Sequence, residues 1–177
     1  GDIPIFLERL LAKNVKNVVV AAIADAKAVK TCVAEGLGSK MSLSIGGKLD
    51  TIHAEPLTIT GRVTFLSDDS KTAVFQIDGE DSAHNGIEVI LTADRRAFIS
   101  PDQFEVLNID LFSRDIVVVK LGYLFPELRD IAPRSIMALS PGVSNEDIES
   151  LPFNRVRRPI YPLDRDFEWS PSRYALR

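Results

Sequence analysis

Two runs of branched apolar residues, Val18-Val19-Val20-Ala21-Ala22-Ile23 and Ile116-Val117-Val118-Val119, lead to charged residues at their ends, Asp25 and Lys120. Strands that are apolar on both faces belong inside a layered α/β sheet, and such sheets keep their ligands at the rim where parallel strands end. Ile116–Val119 therefore reads as a central buried strand that delivers Lys120 to that rim.

Between the two runs the hydrophobic period falls to two. Met41, Leu43 and Ile45 come first, then Leu57, Ile59, Val63 and Phe65 against Thr58, Thr60, Arg62 and Thr64, and later Ala73, Phe75 and Ile77. Alternation of this kind marks half-buried antiparallel strands. Gly46-Gly47, Asp68-Asp69, Asp78-Gly79 and Asn85-Gly86 supply residues that tolerate tight turns, so residues 41–92 read as a meander of about four strands ending in Ile87–Thr92.

Helical periodicity occupies the flanks. Ile3, Phe6, Leu7, Leu10 and Leu11 share one helical face behind Asp2, and Asn14 supplies a stop. Asp25 is placed to cap a second helix that runs to Gly36-Leu37-Gly38. A short helix around residues 101–107 precedes the Lys120 strand, and residues 126–131 read as a helical crossover to another apolar strand, Ser135-Ile136-Met137-Ala138-Leu139. That is a parallel βαβ unit. Ser144 and Asp147 look like the start of a final short helix ending near Leu151. The expected fold class is thus α/β: a mixed sheet with a parallel βαβ core, an antiparallel meander extension and flanking helices. Residues 1–151 form the domain, and residues 152–177 form an extended arm. Pro152, Pro159, Pro162 and Pro171 forbid a regular helix there, and Phe153, Tyr161, Phe167, Trp169 and Tyr174 call for a surface to lie on, either this domain's own or another's.

At 177 residues and 45% hydrophobic content, the chain buries roughly 70% of its unfolded surface without staples. Its single cysteine, Cys32, excludes an intrachain disulfide and sits on the apolar stripe of the second helix as a buried structural thiol. A net charge of -4 argues against nucleic acid and anionic membrane surfaces as partners. No apolar run approaches the roughly 20 residues of a membrane span, and the first residues lack the charged start of an export signal, so a cytoplasmic location is expected.

Few side chains offer chemistry. The two histidines, His53 and His84, lack metal-ligand spacing, and Asp78, Glu80 and Asp81 lack the alternation of a calcium loop. No metal site is expected within this chain. Gly46-Gly47-Lys48 lacks the length of a phosphate loop and reads as a hairpin turn. Arg155, Arg157 and Arg158 are followed by Asp164, Asp166 and Glu168, which neutralise them. What remains is the rim, where Asp25, Arg95 (after Thr92) and Lys120 leave separate strands. Together they suit binding of a substrate carboxylate or the orienting of a partner's catalytic group, although helix capping and ion pairing account for the same residues.

Several segments taken in order carry a resemblance. They are Gly1-Asp2 ahead of a helix, Ile45-Gly46-Gly47-Lys48, Leu91-Thr92-Ala93-Asp94-Arg95, Val117-Val118-Val119-Lys120, and the closing Leu151-Pro-Phe-Asn-Arg-Val-Arg-Arg-Pro-Ile-Tyr-Pro-Leu-Asp164. The chain resembles the C-terminal domain of microcystinase C (MlrC)-like proteins from Gly1 to about Trp169. That resemblance implies a zinc-dependent metallopeptidase or amidohydrolase whose larger N-terminal domain supplies the metal ligands and is the partner of this one. The chain alone would be inactive, with substrate-facing roles for Asp25, Arg95, Lys120 and Asp2 in the intact protein. Two departures stand out: Leu121-Gly122-Tyr123-Leu124-Phe125 replaces a K-S-x-x-H-F continuation after Lys120, and Ala93 replaces a serine. Two rival readings remain: an interaction or dimerisation module with no catalytic contribution, which makes a homo-oligomer a possible partner state, and a free-standing small-molecule binding domain.

Overall fold

The computed structural model describes residues 2–49, 51–78, 86–142 and 146–168. They fall into two compact units, residues 1–143 and 144–177.

The first unit is built on one six-stranded mixed sheet. In chain order, α1 (Asp2–Ala12) leads to β1 (Val18–Ala24), α2 (Ala26–Glu35), β2 (Lys40–Ile45), β3 (Leu57–Leu66), β4 (Thr72–Ile77), β5 (Ile87–Thr92), α3 (Asp102–Glu105), β6 (Ile116–Val119) and α4 (Pro126–Arg129). The strand order is β2-β3-β4-β5-β1-β6. β1 pairs in parallel with β5 and β6, whereas β2 to β5 form the antiparallel meander that the period-two pattern predicts.

β1 shows why its sequence is apolar throughout. Val18, Val20 and Ile23 enter one core with Ile3, Leu7 and Leu10 of α1 and Ala28, Val29 and Cys32 of α2. Val19 and Ala21 point the other way, into a second core with Phe98, Phe104, Leu107, Ile109 and Leu128. The sheet is therefore covered on both faces at β1, the arrangement that a two-faced apolar strand requires, while β2 and β3 keep one face exposed. Phe98 and Phe104 meet edge to face at 5.0 Å between ring centres. Cys32 is fully buried, and desolvation pushes its thiol up to about 11.

Three expectations need correction. β6 is the edge strand of the sheet, not a central one, and its residues are half-buried, with Ile116 exposed. Its apolar composition matches a buried strand, but the position next to it is empty of strands among the described residues. The cause lies further on. Residues 135–139 form no strand and are exposed, so the expected βαβ unit from Lys120 to Leu139 is absent, and the parallel core consists of β5, β1 and β6. The helix expected after Ser144 is a single 3-10 turn, Ile148–Ser150, and Ser144 itself lies outside the described residues. Gly79, Glu80, Asp81, His84, Asn85, Trp169 and Tyr174 also lie outside them.

In the second unit, Arg158 donates from Nε and Nη2 to the Asp164 carboxylate, and the Ile160 N–H donates to the same group at 2.8 Å. The loop between them presents Tyr161, 72% exposed, to solvent. The arm's aromatics are thus not uniformly sheltered: Phe153 is exposed as well. The Arg158 hydrogen bonds, with the Ile160 N–H second, hold the Asp164 carboxyl at about 2, below its usual range. A depressed carboxylate stabilises its folded setting above the unfolded value near 3.9, and that contribution disappears as pH falls through about 2. Lowering the pH from 5 to 2 is therefore expected to release the loop, seen as a lower protection of the Ile160 amide relative to its intrinsic exchange rate at each pH. Asp164→Asn should leave that amide weakly protected at both pH values.

Candidate functional site

The C-terminal ends of β1, β5 and β6 share one rim. Register places Ala24 opposite Thr92 and Ala21 opposite Val119. The Asp25 N–H donates to the Thr92 carbonyl at 2.8 Å, and the Lys120 N–H donates to the Ala21 carbonyl at 3.0 Å. Lys120 thus stands one strand over from Asp25 and, at about 3.3 Å per residue, roughly 10 Å short of it along the strand axis.

Asp25 is the most heavily engaged group on this rim. Its Oδ1 accepts from the Ala28 N–H at 3.0 Å, which caps α2. Its Oδ2 accepts from the Gly46 N–H at 3.0 Å and from Lys48 Nζ at 2.5 Å. Lys48 Nζ donates again to the Ser44 carbonyl at 3.0 Å. The carboxylate side chain is wholly buried, and the Lys48 side chain is 30% exposed. The closed end of the β2–β3 hairpin thus reaches the exit of β1, and a charge buried there is neutralised by a lysine whose other side faces water.

The glycines allow this approach. Gly46 (φ +66) lies so close to Pro4 of α1 that a Cβ would overlap the proline ring, and Gly47 (φ +63) lies against the Glu55–Pro56 peptide backbone. Both are in the left-handed region, where only glycine is at ease. Sequence reasoning read Gly46-Gly47-Lys48 as a hairpin turn, which it is, but missed that Lys48 is the partner of Asp25. The usable signal was a buried strand ending in an acid with a lysine beside a double glycine, since a buried carboxylate demands donors.

Arg95 is exposed in the segment that follows β5, and Lys120 is exposed after β6. The Asp2 side chain lies outside the described residues, although its backbone opens α1. Thr92 adds an unanticipated feature. Its Oγ1 is buried, with no hydrogen-bond partner among the described residues. Beside it, an open groove of about 540 Å³ is lined by Phe65, Asp68, Thr72, Arg96 and Leu107, so that Arg96 and not Arg95 borders the concavity. Asp69 in the same turn is held below the usual carboxylate range by the Ser67 hydroxyl and then by the Lys71 N–H.

The opposite rim carries a different pair. Arg114 Nη2 lies 2.8 Å from Glu88 Oε2, both largely buried, and Asn17 Nδ2 donates to the Ser113 carbonyl to fix the adjoining turn. Burial raises the Glu88 carboxyl above its usual range against the opposing pull of Arg114. That ion pair joins strand starts and does not belong to the candidate site. Among the described residues, no group of three or more His, Cys, Asp or Glu side chains comes together to hold a metal ion, and no helix is long and apolar enough to cross a membrane.

Residues 1–155 match the family described as MlrC C-terminus. The chain belongs to that family. It is 25% identical over 171 residues to microcystinase C of Sphingomonas sp, an alignment covering 93% of this chain and 33% of that protein. It also superposes with a TM-score of 0.70 and 21% identity on the crystal structure of a candidate metallopeptidase from Mesorhizobium sp. BNC1, covering 93% of this chain and 35% of that one. At that identity the superposition speaks for the fold. This MlrC C-terminal chain spans about a third of the length of both relatives.

Proposed function

We propose that this chain is the accessory C-terminal domain of an MlrC-like zinc-dependent metallopeptidase or amidohydrolase, and that it forms one wall of a cleft whose metal site is in a preceding domain. The family match over residues 1–155, together with the one-third coverage of microcystinase C, is the observation that carries this reading. The described residues of this chain do not fit a zinc ion, since their acids and His53 form no cluster.

The chain's own contribution is positional. Arg95 and Lys120, both exposed on the rim where parallel strands end, orient a peptide carboxylate or carbonyl across the cleft. Asp25, being buried, acts through its partner: it fixes Lys48 and the hairpin end, so that the Lys48 ammonium is the part of this pair that substrate meets. Asp2, which opens α1, joins them on the substrate side.

The test compares the full-length protein with this chain. Zinc and peptide hydrolysis are expected in the former only, and stoichiometric zinc in this chain alone would overturn the division of roles. In the full-length protein, Arg95→Ala and Lys120→Ala are each expected to lower kcat/KM by about tenfold with metal content and Tm unchanged. A second reading, a docking or dimerisation module that touches no substrate, draws support from the exposed apolar residues Phe153, Val156, Ile160 and Tyr161 of the arm. Unchanged kcat/KM in both variants, with assembly lost on truncation after Leu151, would select it.

A further inference from the structure

Residues 133–142 combine three properties that do not suit a segment left in water. Ile136 is 79% exposed, Met137 56% and Leu139 60%. Among the described residues, none of the backbone groups of this segment makes a hydrogen bond, and it belongs to no helix or strand. As a strand, residues 135–139 would be apolar on both faces, since Ile136 and Ala138 alternate with Met137 and Leu139. A two-faced apolar strand is the pattern of a covered sheet interior, and an uncovered one is an aggregation hazard. The sheet of this unit gives it no place, because β6 ends the strand order without a further neighbour among the described residues.

We propose that residues 135–139 are a docking strand for the preceding domain of the same polypeptide, adding to an open sheet edge there and filling an apolar layer beneath it. The inference rests on the reading above that such a domain exists, and it deepens that reading by naming the surface through which the two parts meet. About two thirds of each relative's length lies outside the region that this chain matches. That length is ample for a second layered domain. Tethering favours it as the occupant, because an intramolecular partner is present at high effective concentration whereas a second copy is not.

Hydrogen exchange of residues 135–139 decides the matter, measured on the full-length protein and on this chain. The expected result is exchange near the free-peptide rate in this chain and slowing by about a hundredfold in the full-length protein at every concentration. Ile136→Asp with Leu139→Asp should abolish the slowing while leaving the Tm of this chain unchanged, since both side chains already face solvent. Free exchange in both proteins overturns the proposal. Slow exchange in this chain also overturns it: a rise with concentration points to a second copy, and independence of concentration points to pairing with β6. Zinc content and hydrolysis are recorded on the same full-length samples. Loss of the proposed activity with protection intact would sink the catalytic reading alone, and protection missing from an active zinc enzyme would sink only the docking strand.

Discussion

Asp25→Ala is expected to destabilise the chain by about 3 kcal/mol, read as a shift of the urea midpoint at constant slope. The substitution removes the cap on the Ala28 N–H, a change that typically costs about 1 kcal/mol. It also leaves the buried Gly46 N–H without its acceptor, for about 1 to 3 kcal/mol more. The Lys48 ion pair adds less than a fully buried one, because Lys48 is 30% exposed and recovers water when its partner leaves. Asp25→Asn keeps an acceptor oxygen and should lose only about half as much. A loss below about 1 kcal/mol for the alanine variant would show that the hairpin end does not depend on this carboxylate.

Gly47→Ala should cost as much through a different cause. An alanine at φ +63 is disfavoured by about 1 to 2 kcal/mol wherever it occurs. Here the new methyl also meets the Glu55–Pro56 backbone, which has no flexible end to move aside, so the hairpin must shift as a whole. About 3 kcal/mol is expected in total, with the β2–β3 connection displaced. Gly36→Ala is the control: φ is +87, but the space around it is open, so only the backbone cost remains. Equal losses at the two positions would mean that close packing at Gly47 contributes nothing.

Much of the sheet was legible because its signals are local. The run from Val18 to Ile23 and the alternation from Met41 to Phe65 each declare how many faces a strand buries, and burial follows both patterns in β1, β2 and β3, whereas β4 is buried on both faces despite its alternating sequence. Position within the sheet is not local. Ile116–Val119 looks as buried as β1 from its residues, yet whether a strand is central depends on a neighbour far along the chain, and residues 135–139 do not take that place. The candidate site divides in the same way. The shared rim of Asp25, Arg95 and Lys120 follows from parallel strands alone. The pairing of Asp25 with Lys48 depends on where the β2–β3 hairpin ends in space, which no period encodes. Even there a demand was readable, since a carboxylate at the mouth of an apolar strand needs several donors, and the Gly46 N–H and Lys48 provide two of them.

The lone thiol offers one practical use. Cys32 is sealed between α2 and the sheet, and its proton is held so firmly that little nucleophilic thiolate forms at neutral pH. A maleimide or disulfide reagent therefore reacts only with molecules in which α2 has lifted away, and with no second cysteine in the chain to confuse the signal, labelling speed becomes a direct clock for that opening in the wild-type protein.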